Sequence, residues 1–380
     1  MRFPEFGGEW EECKLEDCVD FLDGLRKPIK SEERKCEKGL YPYYGASGII
    51  DYIDEYIFDG DYILLSEDGA NILDRNYRVA FLAKGKIWVN NHAHVLLPHT
   101  NIDIDFLSEA LERLNYAVYN TGTTMPKLNQ EICRKIGLHI PSTKEQNKIG
   151  ALLSLLNERI ATQNKIIEKY ESLIQAICDT LIEAEQHKVE LSFNDFGEPY
   201  SGLSGKSAED FGKGWPYITY MNVYQNQIID ITDVGLVKIN ETEQQSVVRY
   251  GDILFTLSSE TPDEVGMGAV YLGDAYPLYL NSFCFGVHIT DESKIFPPFL
   301  AYYISTKSFR KAVFPLAQGS TRFNLQKNDF MKKIFHFPTV KKQSEIYSVL
   351  KAYSNKLSIE KNIANLLCEQ KSYLLRQLFI

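Results

Sequence analysis

Three short stretches carry residue types that could support ligand binding or catalysis, and the first is "SGLSGKS" (Ser201–Ser207). It ends like the phosphate-binding loop G-x-x-x-x-G-K-[ST], in which backbone amides and a lysine hold phosphate groups. The position of the first glycine is occupied by Tyr200, however, and no apolar strand precedes it. We therefore predict that this stretch does not bind ATP.

His92 and His94 are two residues apart, so on a strand they would face the same side, as metal ligands sometimes do. No third ligand is obvious nearby, which favours ordinary strand histidines. Glu12 and Lys14 form an E-x-K fragment, but the acidic residue that a nuclease would need before it is not convincingly placed. The motifs G-x-S-x-G, H-E-x-x-H and N-P-P-aromatic do not occur. The sequence predicts no catalytic residue and no metal site.

The bulk composition indicates a globular protein of several domains. The chain has 380 residues, of which 44% are apolar and 24% charged, and domains usually have about 100–200 residues. No apolar run approaches the roughly 20 residues of a membrane helix, and no signal peptide is evident. The cysteines show no zinc or disulfide spacing, so we expect a reducing, cytoplasmic setting and no membrane contact. They are Cys13, Cys18, Cys36, Cys133, Cys178, Cys284 and Cys368.

The formal charge of −10 argues at first against nucleic acid as a partner, because phosphate binding favours a basic surface. The charge is unevenly distributed along the chain. Residues 1–120 carry a net −10, residues 121–190 are neutral, residues 191–318 carry −7 and residues 319–380 carry +7. Two acidic regions thus alternate with a neutral and a basic segment.

An internal repeat is the strongest signal in the sequence. Residues 122–153 align without a gap with residues 319–350, an offset of 197 positions, and "MRFPEFG" at residue 1 resembles "LSFNDFG" at residue 191. The chain is therefore a duplication of about 190 residues. The identical pairs are Gly122/Gly319, Thr124/Thr321, Leu128/Leu325, Lys135/Lys332, His139/His336, Pro141/Pro338, Lys144/Lys341, Gln146/Gln343, Ile149/Ile346 and Leu153/Leu350.

Each copy of the repeat leads into a long amphipathic helix. Apolar residues alternate at spacings of four and three, a heptad pattern that predicts a first helix over Ser142–Ile182. Gln163 in the first helix and Glu360 in the second occupy equivalent positions in the pattern. In the second helix Glu360 and Lys371 interrupt the pattern. The apolar stripe of that helix is broadened by Ile359, Ile363 and Leu366. Such a helix cannot bury its apolar stripe alone, so we predict that the two helices pair. The predicted interface residues are Ile149, Leu153, Leu156, Ile160, Ile167, Tyr170, Ile174, Ile177 and Leu181 in the first helix and Ile346, Leu350, Tyr353, Leu357, Ala364, Leu367, Leu374 and Leu378 in the second.

The regions between the repeats differ from each other but share a composition rich in Tyr and Phe. Short apolar runs such as "DYILL", "KIWVN", "GDILFTL" and "FCFGVHI" are separated by turn residues, which predicts small β-rich domains. A helix is expected near the end of each, over residues 105–120 and 298–314. We predict domains at residues 1–120 and 191–318, and repeat segments with long helices at 121–190 and 319–380.

This order of parts resembles the specificity subunit of type I restriction–modification systems over essentially the whole chain. The residues that carry the resemblance are "GTTMPKLNQEICRKIGLHIPSTKEQNKI" (Gly122–Ile149) and its second copy, with "RFPEFGGEWEECKL", "YPYYGASGII" and "GWPYITYMNV". The resemblance implies an α+β fold in which two target-recognition domains are joined by two long antiparallel helices that form a coiled coil.

The resemblance also implies the function. Each recognition domain would read one half of a split double-stranded DNA sequence, and the helices would set the gap between the halves and dock two modification subunits that methylate adenine. S-adenosylmethionine, ATP and Mg would belong to those subunits and to the restriction subunits, with no cofactor in this chain. Because the domains are acidic, we expect the modification subunits to supply most of the clamp on DNA.

Polar and aromatic residues around comparable loops of the two domains are the candidates for DNA contact, since bases are read by donors and acceptors at their edges. The paired loops "GTTMPK" and "GSTRFN" are candidates for holding phosphate. The first set is Tyr43, Tyr44, Ser47, Ser66, Glu67, Asp68, Asn71, Thr123, Thr124 and Lys127, and the second is Tyr217, Thr219, Tyr220, Asn222, Ser258, Ser259, Glu260, Ser320, Thr321 and Arg322.

Two alternatives stay open at this point. One is a coiled-coil adaptor with two protein-binding heads and no role on DNA, which the acidic heads favour slightly. The other is an enzyme with an unfamiliar site, for which no constellation of residues argues.

Overall fold

The structure is a computed structural model that describes residues 2–34 and 39–379, and Cys36 lies outside the described residues. The chain forms two compact units. Unit 1 comprises Met1–Asn164 with Asn362–Ile380, and unit 2 comprises Lys165–Lys361. Each unit contains one β-rich domain and one segment of each long helix.

Unit 1 contains a sheet with the strand order β2-β7-β5-β6-β3-β4, and β1 pairs with β8. The strands are β1 (Glu11–Lys14), β2 (Val19–Phe21), β3 (Tyr41–Gly45), β4 (Gly48–Ile53), β5 (Phe58–Ser66), β6 (Ala80–Val89), β7 (Ala93–Pro98) and β8 (Gly137–Ile140), and the helices are α1 (Asn71–Asp74), α2 (Ile104–Glu112), α3 (Gln130–Arg134) and the start of α4 (Thr143–Glu183). The apolar run of β5 is buried, and Ile63 and Leu65 share a core with Phe106 and Leu107 of α2.

Unit 2 contains the strand orders β10-β17-β13-β15, β12-β11-β16 and β14-β19-β18, and β20 pairs with β9. The strands are β9 (Lys188–Leu191), β10 (Gly197–Ser201), β11 (Phe211–Ile218), β12 (Val234–Val237), β13 (Ile253–Thr256), β14 (Ser258–Ser259), β15 (Gly268–Val270), β16 (Tyr279–Leu280), β17 (Cys284–Ile289), β18 (Ala317–Gln318), β19 (Phe323–Leu325) and β20 (Phe335–Pro338). The helices are α5 (Tyr220–Gln225), α6 (Pro297–Tyr303), α7 (Lys307–Val313), α8 (Lys327–Lys332) and α9 (Val340–Leu378). Phenylalanines dominate the core, where Phe193 stacks on Phe330 with ring centroids 4.9 Å apart.

The two long helices pair antiparallel within each unit, as predicted. In unit 1 the start of α4 shares a core with the end of α9, through Ile149, Leu153 and Leu378. In unit 2 the end of α4 shares a core with the start of α9, through Ile182 and Ile346. The predicted interface residues are all buried or partly buried, and so are the polar Gln163 and Glu360.

The structure corrects three details of the sequence-based interpretation. The helix predicted over 105–120 ends at Glu112, where the chain turns into a short 3₁₀ segment capped by Asn115. The helix predicted over 298–314 is two helices, because the Thr306 side chain accepts from the Phe309 amide and starts α7 anew. Ile359 and Leu366 do not broaden the buried stripe, since each is more than half exposed.

Candidate nucleic-acid interface

A short ladder of backbone pairs joins each domain to the repeated loop that precedes its long helix. In the first domain Glu67–Gly69 lies beside Pro126–Leu128: the Leu128 amide donates to the Glu67 carbonyl at 2.7 Å, and the Gly69 amide donates to the Pro126 carbonyl at 3.0 Å. Asp68 is bridged to Lys127 between these bonds. We call this arrangement the loop ladder.

The second domain contains the same loop ladder. The Leu325 amide donates to the Leu257 carbonyl at 2.8 Å. Ser258 then lies opposite Asn324, and Ser259 lies opposite Phe323. The offset of 197 that relates the repeats carries residues 126–128 onto residues 323–325, so the duplication extends to this contact.

A glycine closes each repeated loop onto itself. A Cβ atom on Gly122 would lie 1.8 Å from the Met125 carbonyl oxygen, and one on Gly319 would lie 2.1 Å from that of Arg322. In the first loop the Asn120 side chain accepts from the amides of Gly122 at 2.9 Å and Lys127 at 2.8 Å. The turn therefore requires glycine, which explains why both copies of the repeat begin with it.

Most of the residues predicted for the first domain surround its loop ladder. Glu67 and Asp68 form the ladder with Lys127, and Thr123 and Thr124 are exposed on the facing loop. The buried Ser66 hydroxyl donates to the Ala46 carbonyl at 2.5 Å, which holds the β3–β4 turn and its exposed Ser47 beside the end of β5.

The remaining first-domain residues that were predicted to contact DNA make contacts with other groups of the fold. Tyr44 is half-buried and stacks on Phe81, with ring centroids 6.2 Å apart. The Asn71 amide group bonds to the backbone of Tyr77 and closes a turn. Tyr43 is 2% exposed, and its hydroxyl accepts from the Ile29 amide at 3.0 Å.

In the second domain, five of the predicted residues line one surface pocket. These are Tyr220, Ser258, Ser259, Glu260 and Arg322, and they share it with Met221, Tyr224 and Glu264. Tyr220 donates to the Ser258 carbonyl at 2.7 Å and stacks on Tyr224, with ring centroids 6.0 Å apart. Ser320 and Thr321 are exposed on the neighbouring loop.

The other second-domain predictions lie away from that pocket. Tyr217 of β11 is half-buried against Phe211, and Thr219 caps α5 by accepting from the Asn222 amide at 3.1 Å. Asn222 itself is fully buried and bonds to the backbone of Asp230 and Asp233. Like Tyr43, Asn222 positions backbone from the interior, so we leave both out of the proposed DNA-facing surface.

Sequence reasoning missed the turn between β6 and β7, which joins the first loop ladder. His92 lies in this turn and not on a strand, and its Nδ1 atom is 2.9 Å from both carboxylate oxygens of Asp68. The Asn90 side chain accepts from the His92 amide at 2.8 Å. The dipeptide Asn90–Asn91 directly after a buried strand is a turn signal that could have identified the site.

A network of buried charged side chains contacts the first loop ladder from the interior of the domain. His94 of β7 is 1% exposed; its Nδ1 lies 2.6 Å from an Asp23 carboxylate oxygen, and its Nε2 lies 2.8 Å from the Leu128 carbonyl. Because both partners only accept, both ring nitrogens must carry protons. Arg26 bridges Asp23 to Glu67, and it donates to Glu67 at 2.8 Å. His94 is thus a structural imidazolium and not a metal ligand.

This network makes stability dependent on pH. Burial is the largest single influence and opposes the charge on His94, but Asp23 and Cys133 together outweigh it, and the pKa of His94 is raised from 6.5 to about 10. A group whose pKa is higher in the folded state than in the unfolded state stabilises the fold in full below the unfolded-state pKa. This contribution is lost as the pH rises through the folded-state pKa. The contribution is therefore complete below about pH 6.5 and gone above about pH 10.

We expect wild-type protein to lose a few kcal/mol of unfolding free energy in unit 1 between about pH 6.5 and 10, and a His94→Gln variant to show a flatter profile. Urea unfolding at several pH values measures this. His139→Gln is the matched control, because His139 is exposed. Parallel pH profiles for wild type and His94→Gln would contradict the assignment.

One repeated glutamine fixes each domain to the start of its long helix. The Gln146 side chain accepts from the Asp103 amide at 3.0 Å and donates to the Pro141 carbonyl at 2.9 Å. The Gln343 side chain accepts from the Phe296 amide and donates to the Pro338 carbonyl, both at 2.8 Å. Asp103 and Phe296 occupy the N-cap positions of α2 and α6, so the identical glutamines set both domain helices against the coiled coil in the same way.

Glu109 joins the first domain to both long helices. Its Oε1 atom accepts from Arg78 at 2.6 Å, from Asn157 of α4 at 2.9 Å and from Lys371 of α9 at 3.1 Å. Burial alone would raise the pKa of Glu109, but the two cations hold it below its ordinary value, while burial lowers the pKa of Lys371. Lys371 interrupts the heptad pattern because it pairs with this carboxylate.

The other stretches that suggested chemistry have structural partners. Lys206 of the "SGLSGKS" stretch pairs with Glu243 and donates to the Lys238 carbonyl at 2.6 Å. Glu12 is a strand residue that lies opposite His139 in the backbone register of the β1–β8 ladder. Within residues 2–34 and 39–379, no group of three or more His, Cys, Asp or Glu side chains is arranged to hold a metal ion. No helix in that same part of the chain is long and apolar enough to cross a membrane.

Comparisons with known proteins agree with this architecture. The family model for the type I restriction modification DNA specificity domain matches twice, over residues 7–172 and 200–369. A putative type I restriction enzyme specificity subunit from Haemophilus influenzae is 25% identical over 366 residues, which cover 90% of this chain and 87% of that protein.

Two solved structures share the fold over nearly the whole length of both chains. The type I restriction–modification S subunit from M. genitalium matches with a TM-score of 0.62 at 17% identity, and covers 100% of this chain and 99% of that one. A chain from a study of complex assembly in the type I system matches with a TM-score of 0.54 at 14% identity, with 99% of each chain covered. Since the family model covers most of the sequence in two copies, the chain belongs to the type I restriction–modification DNA specificity family.

Proposed function

We propose that this chain selects the DNA sites of a type I restriction–modification complex, and that each domain reads one half of a bipartite site. The observation that carries the proposal is that the same loop ladder stands in both domains with different side chains around it. A shared backbone frame with diverged side chains suits two readers that perform the same task on different sequences. We assign the readers to residues 1–120 and 191–318.

The repeated segments, residues 121–190 and 319–380, have a different task in this proposal. They dock two modification subunits, because two equivalent partners need two equivalent surfaces, and their helices set the number of base pairs between the half-sites. The modification subunits bind S-adenosylmethionine and methylate adenine, and restriction subunits with ATP and Mg cleave. This chain contributes recognition and no reaction, and it acts in the cytoplasm. The family match over both halves of the chain gives the adaptor alternative no support.

Exchanging the first domain is the experiment that tests this assignment. We expect a chimaera with residues 1–120 from another specificity subunit to methylate sites in which one half is new and the other is unchanged. The donor domain must supply a carboxylate at position 109, or Lys371 must be replaced as well, because Lys371 is otherwise left buried without its partner. Sequencing of methylated adenines in host DNA gives the result.

A reciprocal exchange of residues 191–318 is the control, and it should change only the other half. A chimaera that folds and methylates, but changes both halves or neither, would contradict the assignment of one half-site to each domain.

A further inference from the structure

Most of the identical residues in the two repeats have a role in the fold. Leu128, Ile149 and Leu153 and their copies are buried, and Gln146 and Gln343 fix the domain helices to the long helices. Three further identical pairs lie between the loop ladder and the first turn of each long helix, and all six side chains are exposed. Exposed side chains are usually replaced with little effect on stability, so folding does not explain these identities. The pairs are Lys135/Lys332, His139/His336 and Lys144/Lys341.

The histidine pair is the least expected of the three. The chain has seven histidines in 380 residues, so a chance match at an exposed position is rare. Each histidine also lies opposite an exposed glutamate in a two-stranded ladder: His139 lies opposite Glu12, and His336 lies opposite Glu190. In unit 2 the His336 Nε2 atom is 3.3 Å from a carboxylate oxygen of Glu190. The duplication therefore includes the partner of the histidine.

The two glutamates occupy equivalent places in the fold. Each lies three residues before a short 3₁₀ segment, Leu15–Asp17 in unit 1 and Phe193–Asp195 in unit 2. In both segments the aspartate accepts from the backbone amide that precedes the segment, at 2.9 Å and 2.7 Å. We give the name duplicated patches to two sets of exposed residues. The first patch is Glu12, Lys135, His139 and Lys144, and the second patch is Glu190, Lys332, His336 and Lys341.

The residues of one patch lie close enough to contact a single partner. Lys135 and Lys144 are four and five residues from His139 along the chain, so their Cα atoms lie within about 18 Å of it. The copies in unit 2 have the same spacing. A protein partner that buries about 800 Å² of each surface covers a patch of this size.

The charges of the patches favour a protein partner over DNA. A phosphate backbone is bound by cations, and a carboxylate in the same patch repels it. A protein surface can present carboxylates to the lysines and also a hydrogen-bond donor to the glutamate. With the histidine neutral, each patch carries two positive charges and one negative charge. The complementary surface is therefore acidic with at least one donor.

We propose that each duplicated patch is a docking contact for one modification subunit, which presents an acidic surface to it. The same residue types stand at equivalent places in both units because the same partner binds twice. This inference rests on the proposed function. It names the residues that recognise the partner, and it explains identities that the fold does not require.

The test counts the modification subunits bound to the full-length chain, by native mass spectrometry with purified modification subunit in excess. Wild-type chain should bind two. With Lys135→Glu and Lys144→Glu together, the first patch repels its partner, so the affinity of that site should fall roughly 10- to 100-fold and one subunit should remain bound. With Lys332→Glu and Lys341→Glu together, the subunit at the second patch should be lost instead. The fourfold variant should bind none.

Two control variants keep the interpretation specific. Lys135→Arg with Lys144→Arg preserves the charge and should retain both subunits. Lys27→Glu with Lys30→Glu reverses two exposed lysines of unit 1 outside the repeats, and it should also retain both. If the charge reversal in the first patch unfolds unit 1 in a urea titration, Lys135→Gln with Lys144→Gln decides. That variant removes the charges without adding repulsion, and it must still weaken the first site.

Folded charge-reversed variants that still bind two modification subunits with wild-type affinity would overturn the inference. So would variants that keep both subunits but weaken the binding of the assembled complex to DNA of any sequence, because that result assigns the lysines to phosphate contacts. A wild-type chain that binds no modification subunit would instead count against the proposed function.

Discussion

Replacing Glu109 with leucine is expected to lower the free energy of unfolding of unit 1 by roughly 3 to 5 kcal/mol, the usual cost of leaving a buried charge without its partner. Glu109 is 2% exposed, and the Lys371 side chain that it binds is 16% exposed. Without the carboxylate, Lys371 must either stay charged in an apolar setting or give up its proton, and both outcomes cost free energy.

The double variant Glu109→Leu with Lys371→Leu should recover much of this loss, because two apolar side chains then meet in the same place. Urea unfolding followed by tryptophan fluorescence measures both effects. In a Trp215→Phe background the remaining tryptophans, Trp10 and Trp88, lie in unit 1. Glu131→Leu is the matched control, since Glu131 is an exposed helical glutamate of the same unit. Equal destabilisation by the single and double variants would refute the proposed coupling.

Shortening both long helices by one heptad is expected to change the spacer between the half-sites while leaving both half-site sequences intact. The matched deletions are residues 163–169 in α4 and residues 360–366 in α9, which the repeat offset places at equivalent positions. Seven helical residues correspond to about 10 Å, or roughly 3 base pairs of duplex. Methylated sites should therefore show a gap that is shorter by about that number.

Deleting the heptad from α4 alone is the control, because it breaks the match between the two helices and should abolish methylation rather than reset the gap. An unchanged spacer in the doubly shortened protein would show that the helices do not set the distance. A change in either half-site sequence would show that they contribute to base reading.

The helices were the most predictable part of the fold. The heptad pattern, in which Gln163 is the one polar member, gives α4 its bounds to within one residue, because an apolar stripe over 41 residues is buried only if the whole segment is helical and packs against a partner. The helices near the ends of the domains were less predictable. Thr306 and Asn115 each start a new segment inside an apolar run, and local capping of this kind outweighs a periodic pattern.

The candidate site divides in a similar way. The internal repeat alone identified the two candidate loops. The structure then brings Glu67 and Asp68 to Lys127, although they are about 60 residues apart in the sequence. The sequence did not show that Tyr43 and Asn222 face inward, because a polar residue beside a turn looks the same whether its hydrogen bonds go to backbone or to solvent. The domain contacts of Gln146 and Glu109 were hidden for the same reason. Their partners are distant backbone and side-chain groups that only the fold brings near.

The central claim is that two dissimilar readers on a duplicated frame select a DNA site in two pieces. Sequencing of methylated adenines in a host that carries the modification subunit, with and without this chain, tests it most directly. Methylation should depend on this chain and should fall in one motif with two specified parts and an unspecified gap of constant length. A continuous motif, or methylation that is the same in the absence of the chain, would contradict the account.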